Sequence, residues 1–248
     1  MRALFALAVV LVTTSAYAQL DYSQWRTDEW SRRTAMPGLI WGSEIAIEIQ
    51  PCCDANRNPN DEHSKELTIA PGKVSRDGLA LKLKLDGGKT LKIIDCNDEN
   101  RCGTDTFRVH RLVAWWPKFG YYVVSVGLYE GEFAFLVREA DGLLIRVAAP
   151  PVLSPNEGYA IAWDPSVLNG FTMELLDMKP NPPKIYAVTN EITCPGRSEA
   201  ARPGPNPTWI SNTQIAFDDS DFSVMNSPRF RMTLTILAEL NLLWRCQL

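Results

Sequence analysis

The sequence predicts an all-β fold built as a stack of antiparallel sheets. Between Gly120 and Trp163, four short runs rich in β-branched and aromatic residues are joined by turn sequences, which is typical of antiparallel strands. Other stretches alternate apolar and polar residues with a period of two, as half-buried strands do. None of the four central runs is long enough or suitably periodic for a helix, so we expect strands throughout this part of the chain.

The N-terminus has the features of a secretory signal. Arg2 precedes an apolar run from Ala3 to Val12, and Ala16-Tyr17-Ala18 provides the small-x-small site that signal peptidase cleaves. The apolar run is about half as long as the ~20 residues that a membrane-spanning helix needs, and Gln19 rather than Cys follows the predicted cut. We therefore predict that residues 1–18 are a signal peptide. The mature protein is expected to be soluble, periplasmic or secreted, without stable membrane insertion.

The remaining 230 residues (248 − 18) are predicted to form a single all-β domain, 19–248, which is an ordinary size for one such domain. An irregular N-terminal arm and edge strand, 19–65, precede a repeat body, 66–248. The full chain has a net charge of −4 without a long basic run, so nucleic acid is not an expected partner. No glycine-rich phosphate loop, metal-ligand cluster or dinucleotide fingerprint is visible, and we expect no cofactor.

All six cysteines lie outside the predicted signal peptide, and an even number in an exported chain favours disulfides. Six cysteines permit 15 complete pairings, and excluding a bond between the adjacent Cys52 and Cys53 leaves about 12. Cys96–Cys102 is the best local pair, because a polar loop brings its two ends together. Cys194 and Cys246 then pair with the adjacent cysteines or with each other, and the sequence does not choose. A zinc site is disfavoured, since the chain lacks closely spaced ligand pairs.

The first half of the chain contains three predicted strand regions. Leu39–Gln50 alternates like a half-buried strand, and the polar stretch Cys52–Glu66, which has almost nothing to bury, is predicted to be an exposed loop. Leu79–Cys96 is predicted to be a hairpin with its leucines on one face and its lysines on the other. Its turn is Asp86-Gly87-Gly88, because Gly accepts the positive φ of such turns. Thr106–Pro117 is predicted to be a strand that alternates around Phe107 and Val109.

The second half begins with the four central runs and continues with further strands in Phe171–Met178, in the segments after Lys184 and Thr208, and in a final pair. The linker Pro195–Pro207 is rich in Pro and charged residues, so it is predicted to be a mobile surface excursion. In the final pair, polar residues alternate with Met232, Leu234 and Ile236. That alternation is typical of a strand with one buried face.

Two segments look like copies of each other. Pro151–Asp164 and Pro207–Asp218 each run from Pro through a polar turn to an apolar strand that ends in an aromatic residue and Asp, and their starts are 56 residues apart. Both resemble the P-x-W-S-P-D-G-x-x-I-A-F motif of the periplasmic TolB-like β-propeller repeats. Phe135–Val147 is similar to the paired strands that precede this motif in each blade. In all, the resemblance covers Leu79–Asp218.

The resemblance implies a small or incomplete β-propeller-like stack, with a β-sandwich as the alternative. At about 40–50 residues per four-stranded blade, the mature chain holds four or five blades, too few for a larger propeller. The chain departs from the motif in two places. Asn156-Glu157 replaces the Asp-Gly turn in the first copy, and the second copy lacks Ser-Pro.

The sequence contains little that indicates catalysis. His110 lies within a predicted strand and His63 within a polar loop, and no nucleophile motif such as G-x-S-x-G accompanies either of them. Glu130, Glu132 and Glu139 provide carboxylates near aromatic residues, which is the composition of a carboxylate-dependent carbohydrate hydrolase. Carboxylates that flank turns are more often solvated hairpin corners, so hydrolysis is the alternative rather than the main prediction.

The densest aromatic cluster supplies the candidate partner-binding residues, Trp115, Trp116, Phe119 and Tyr121. Successive side chains on a strand point to opposite faces, so in a one-sided sheet one of the two tryptophans is exposed, and exposed aromatics are favoured at binding surfaces. The alternative is that stacked sheets cover both. We predict an exported non-catalytic binding module whose partner is a protein or glycan of the cell envelope. A purely structural envelope protein is a further alternative.

Overall fold

The computed structural model describes residues 63–97, 107–165, 172–188, 192, 194, 203–204, 206–218 and 231–247, with the backbone alone for 40–41, 44–47, 63–65, 218 and 239. The predicted signal peptide, the N-terminal arm, most of the predicted 52–66 loop, most of the 195–207 linker, and Cys102 lie outside these residues. What the sequence predicts for them stays a prediction.

Within the described residues the strands form four sheets, numbered here in chain order. Sheet 1 contains β1 (Ile40–Trp41), β2 (Glu44–Ile47), β3 (Val74–Asp77), β4 (Ala80–Lys84) and β5 (Thr90–Ile94). Sheet 2 contains β6 (Arg108–Trp116), β7 (Tyr121–Leu128), β8 (Glu132–Arg138) and β9 (Leu144–Val147). Sheet 3 contains β10 (Val152–Leu153), β11 (Tyr159–Asp164), β12 (Thr172–Asp177) and β13 (Lys184–Val188). Sheet 4 contains β14 (Thr208–Trp209), β15 (Gln214–Asp218), β16 (Arg231–Ile236) and β17 (Leu242–Gln247).

Sheets 2, 3 and 4 share one topology, because each is a meander whose four strands follow chain order. All their neighbouring strands are antiparallel. Sheet 1 has the order β1-β2-β5-β4-β3, and in it β2 runs parallel to β5. The predicted all-β class is therefore confirmed. Within the described residues no helix is long and apolar enough to cross a membrane.

The predicted hairpin of sheet 1 is present as β4 and β5. Leu81 and Leu83 are fully buried, whereas Lys84 on the opposite face is exposed, which is the predicted alternation. Gly87 and Gly88 in the connecting turn have φ values of 70° and 77°, a conformation that residues with a Cβ rarely adopt. The turn chemistry and the period-two pattern were therefore sufficient to place this hairpin.

The predicted exposed loop 52–66 is wrong at its C-terminal end, where helix α1 (His63–Ile69) begins. Its Glu66 is 5% exposed and accepts hydrogen bonds from Arg76 Nε and Nη2 at 3.0 and 3.3 Å. A buried carboxylate is stable only with such a partner. Because Arg76 follows ten residues later in the chain, the local composition of the loop gave no sign of this burial.

Three apolar clusters join consecutive sheets into a stack. The first cluster contains Leu81, Leu83, Leu91 and Ile93 of sheet 1 and Tyr122, Val124, Phe133 and Phe135 of sheet 2. The second contains Tyr121, Val123, Ala134 and Leu136 of sheet 2 and Ala160, Ala162, Leu176 and Met178, which come from or adjoin sheet 3. The third contains Ile161, Trp163, Met173 and Leu175 of sheet 3 and Ile215, Phe217, Met232 and Leu234 of sheet 4. Sheets 2 and 3 are therefore buried on both faces, as blades of a propeller-like stack are and the sheets of a two-layer sandwich are not.

The outer faces of the two end sheets are polar. On sheet 1, Lys82 and Lys92 lie directly opposite each other, with Lys84 on the same face. On sheet 4, Thr233 lies opposite Arg245, and Arg245 is exposed. Within the described residues no apolar cluster joins sheet 1 to sheet 4. Within the described residues the stack therefore begins and ends with a polar face.

Candidate functional site

The four predicted partner-binding aromatics are mostly core residues. Trp116 and Tyr121 are 8% and 1% exposed and belong to the cluster between sheets 2 and 3. Trp115 is partly buried against the cluster between sheets 1 and 2, and Phe119 is partly buried against the cluster on the other side of sheet 2. Only parts of Trp115 and Phe119 reach the surface. A binding role for this group stays a prediction.

A bulge in β6 determines where the two tryptophans point. The pairing of β6 with β7 shifts between Leu112 and Ala114, so Val113 is an extra residue, and a bulge of this kind redirects the side chains that follow it. Trp115 thus lies opposite Tyr122, and Trp116 opposite Tyr121. Trp116 is therefore buried between sheets 2 and 3, and Trp115 is partly buried between sheets 1 and 2, so the two rings lie on opposite sides of sheet 2.

The hairpin turns next to these aromatics lie side by side, and we call this surface the turn face. It comprises the turns 85–89, 117–120, 139–143 and 154–158. The backbone N–H of Asp86 donates to the carbonyl of Glu139 at 2.8 Å, and the N–H of Glu139 donates to the carbonyl of Gly120 at 2.7 Å. These bonds hold three of the turns in register. The turn face is therefore a surface that three sheets build together.

The first half of the candidate site centres on Trp115. Lys73 Nζ lies 5.5 Å from the centre of the Trp115 ring and 2.6 Å from Glu139 Oε1. The lysine thus makes a cation–π contact and an ion pair at once. Lys73 belongs to the segment that leads into sheet 1, and Glu139 follows the third strand of sheet 2. Their ion pair therefore links the two sheets.

The second half repeats this arrangement at the junction of sheets 2 and 3. Lys118 Nζ lies 5.4 Å from the centre of the Phe119 ring and 2.7 Å from Glu157 Oε2. The Phe119 ring packs edge-on against Trp116, with ring centres 6.5 Å apart. The Lys118 and Glu157 side chains are 64% and 43% exposed, so this half is the more accessible one. We call the six residues of both halves the aromatic strip: Lys73, Trp115, Lys118, Phe119, Glu139 and Glu157.

The phenols and the remaining charges near the strip are fixed as well. Tyr121 donates its hydroxyl to Asn181 Oδ1 at 2.7 Å, and Tyr122 donates to the carbonyl of Lys84 at 2.5 Å. Burial raises the pKa of both tyrosines, so their hydroxyls stay protonated and act as donors. Arg138 Nε bonds Asp141 at 2.9 Å, and this hydrogen bond lowers the pKa of the Asp141 carboxyl.

A buried ionic cluster lies between sheets 1 and 2 and was not predicted. It contains Glu66, Arg76, Asp95 and His110. Arg76 Nη1 donates to Asp95 Oδ2 at 2.8 Å, and Nη2 donates to the carbonyl of His110. Asp95 Oδ1 accepts the backbone N–H of His110 at 2.8 Å. The predicted alternation around Phe107 and Val109 is reversed, since the neighbouring Arg108 and His110 are buried instead.

The Asp–His pair in this cluster has the hydrogen bond of a catalytic dyad but, within the described residues, no nucleophile beside the imidazole. His110 is fully buried, and its Nδ1 lies 2.8 Å from Asp95 Oδ1, within hydrogen-bond distance. Within the described residues Nε2 has no hydrogen-bond partner and is inaccessible to water. A general base needs a nucleophile within hydrogen-bond reach, so the arrangement here is that of a structural histidine.

Two of the carboxylates considered for hydrolysis, Glu132 and Glu139, lie far apart. Glu132 begins β8 and Glu139 directly follows its last residue, so seven residues at ~3.3 Å each place them about 23 Å apart. Paired carboxylates of glycosidases work at about 5–9.5 Å. Glu132 accepts a hydrogen bond from Ser125, and Glu139 is bound by Lys73. Within the described residues no group of three or more His, Cys, Asp or Glu is arranged to hold a metal ion.

Cys194 and Cys246 form a disulfide with a Cα–Cα distance of 5.7 Å, which resolves one alternative that the sequence left open. The bond ties the segment after β13 to the last strand of sheet 4. Cys96 is also disulfide-bonded, and its partner lies outside the described residues. The predicted Cys96–Cys102 pairing therefore stays a prediction.

Three comparisons with known proteins found no relative of this chain. No protein-family model matches the chain, and no curated protein and no solved structure proved similar to it. The resemblance to TolB-like repeats stays a prediction that rests on the sequence motif. The case for a function therefore depends on the geometry of the turn face.

Proposed function

We propose that the protein is an exported, non-catalytic binding module of the cell envelope that contacts its partner with the aromatic strip. The observation that carries this proposal is the repeated unit of a lysine, an aromatic ring and a carboxylate at two neighbouring sheet junctions. Partly exposed aromatic rings supply contact area at low entropic cost. Here the rings are rooted in sheets that are buried on both faces, so the contact surface is pre-organised.

The features that support export and a repeated architecture come from different parts of the chain. The Cys194–Cys246 bond suits an oxidising compartment, in agreement with the predicted signal peptide. The copies Pro151–Asp164 and Pro207–Asp218 provide the first two strands of sheets 3 and 4. We propose that sheets 2 to 4 are copies of one TolB-like unit that supplies the scaffold for the strip.

A pair of matched variants tests the proposal. The double variant Lys118→Gln/Phe119→Leu removes the cation and the aromatic ring from the more exposed half of the strip and leaves a neutral amide and a smaller aliphatic side chain in their place. The control Lys184→Gln/Tyr186→Leu removes a similar contact on β13, where Lys184 Nζ lies 4.9 Å from the centre of the Tyr186 ring. The immobilised mature chain is exposed to envelope extract, and the retained components are quantified against both variants.

We expect the strip variant to lose about tenfold or more of the retention, equivalent to ~1.4 kcal/mol, while the control behaves like the parent. Equal circular dichroism spectra and melting temperatures show that both variants are folded. Equal retention by the parent and the strip variant would show that the strip is not the contact surface.

A further inference from the structure

We propose that the ligand of the aromatic strip is an uncharged carbohydrate, an inference that rests on the function proposed above. The charges of the strip are paired with one another. Both lysines of the strip are already neutralised by carboxylates, Lys73 by Glu139 at 2.6 Å and Lys118 by Glu157 at 2.7 Å. An anionic ligand would have to compete with these carboxylates, and a cationic one would have to compete with the lysines. The paired charges leave a polar surface without a net charge to attract an ion.

The strip combines apolar and polar groups in a way that matches a sugar. A sugar ring has an apolar C–H face that packs on an aromatic ring and a rim of hydroxyls that need hydrogen-bond partners. Trp115 and Phe119 provide two partly exposed rings, and the Glu157 carboxylate, whose side chain is 43% exposed, provides an acceptor near Phe119; Glu139 is buried and serves to hold Lys73. The strip thus offers apolar surface beside an accessible acceptor, which suits an amphipathic polyol better than a fully apolar ligand.

The adjoining turn 154–158 is held by side-chain hydrogen bonds. Asn156 Oδ1 accepts hydrogen bonds from Ser154 Oγ and from the N–H of Gly158, both at 3.0 Å. Within the described residues no partner holds the Nδ2 group of the exposed Asn156. A fixed amide with a free donor beside Glu157 supplies one donor and one acceptor, the pair that a sugar hydroxyl can satisfy.

A protein partner fits the strip less well. The centre of a protein–protein interface is a desolvated apolar core that a few large side chains dominate. The large apolar side chains that are exposed in the described residues do not belong to the strip; they are Leu67, Val113, Tyr129, Val152, Ile210, Leu237 and Leu243. Two partly buried rings among four charged side chains form too small an apolar area for such a core.

The experiment titrates the mature chain with neutral oligosaccharides, namely tetramers of N-acetylglucosamine, β-1,4-glucose and α-1,4-glucose, and with oligogalacturonate as the acidic comparison. Binding is measured by calorimetry and by tryptophan fluorescence. We expect at least one neutral tetramer to bind, with an affinity that falls about tenfold or more in Lys118→Gln/Phe119→Leu and is unchanged in Lys184→Gln/Tyr186→Leu. Affinity should change little with salt, because no charge is neutralised on binding.

The other outcomes decide between this inference and the proposed function. If no neutral tetramer binds, or oligogalacturonate binds more tightly, the carbohydrate inference is wrong. In that case, a loss of envelope components by the strip variant would leave the proposed function standing. If the strip variant matches the parent in both the titration and the retention assay, both proposals are wrong.

Discussion

Arg76 shows how a single side chain can hold two sheets together. Its guanidinium bonds two carboxylates, Glu66 and Asp95, and the carbonyl of His110. The side chains of Arg76, Glu66 and Asp95 are only 5%, 6% and 3% exposed, so water cannot replace a missing partner. Removal of one member of such a buried set leaves an uncompensated charge, which costs far more than the loss of a surface ion pair.

We therefore predict that Arg76→Met lowers the free energy of unfolding by about 3–5 kcal/mol, because Glu66 and Asp95 then remain buried without their cation. The measurement is urea denaturation of the mature chain. Lys82→Met is the control, since Lys82 pairs at 2.8 Å with the well-exposed Asp77 and its loss should change stability little. Equal effects of the two variants would show that the buried cluster does not stabilise the fold.

The two tyrosines of β7 lead to a prediction about alkaline stability. Burial raises the pKa of Tyr121 and Tyr122, so the folded state favours the neutral phenol. The resulting stabilisation is fully present below the unfolded pKa of about 10 and is lost as the pH rises toward the folded pKa. Tyr122→Phe should therefore flatten the fall in unfolding free energy above pH ~10. An unchanged slope in this variant would contradict the prediction.

The turn between β4 and β5 illustrates how sequence specifies an element. Gly87 has φ of 70° and ψ of 16°, and an added Cβ would meet no atom within 4 Å. The only cost of a side chain at this position is therefore the left-handed conformation itself. We predict that Gly87→Ala destabilises the protein by about 1–2 kcal/mol, and that Gly87→Asn destabilises it less, because Asn tolerates this region. Thermal unfolding of both variants checks the order, and a smaller loss in the alanine variant would contradict it.

Elements that follow local rules were predictable, and elements that depend on distant partners were not. The hairpin of β4 and β5 follows from alternating leucines and a glycine turn. The opposite case is β6. Its apolar pattern predicts that Phe107 and Val109 are buried, whereas the structure buries His110, because Asp95, directly after β5 of sheet 1, provides a hydrogen-bond partner for the imidazole. The bulge at Val113 decides the sides of Trp115 and Trp116, and no local signal reveals it. The candidate aromatics were found from their density alone, whereas the lysines and glutamates that complete the strip come from three different sheets.

The described part of the chain is a stack with two kinds of sheet. Sheets 2 and 3 have apolar clusters on both faces, whereas sheets 1 and 4 have one apolar and one polar face. A polar outer face is what terminal units of a stacked repeat need in order to remain soluble. Local opening should therefore require the least free energy at the ends of the stack. When an end sheet opens, it loses apolar contact on one face, whereas an inner sheet loses it on two.

We predict that amide hydrogen exchange is slowest in β7, β8, β11 and β12, the central strands of the inner sheets, and faster in β16 and β17.

The Cys194–Cys246 bond closes a loop of 52 residues and should stabilise the protein by about 4 kcal/mol. Because it ties sheet 4 to the segment after β13, the variant Cys194→Ala/Cys246→Ala should accelerate exchange in sheet 4 most strongly and in sheet 2 least. Exchange followed by mass spectrometry on the parent and the variant measures both effects. Uniform acceleration across all four sheets would instead indicate that the stack unfolds as one cooperative unit, and that the aromatic strip has no more rigid support than the ends.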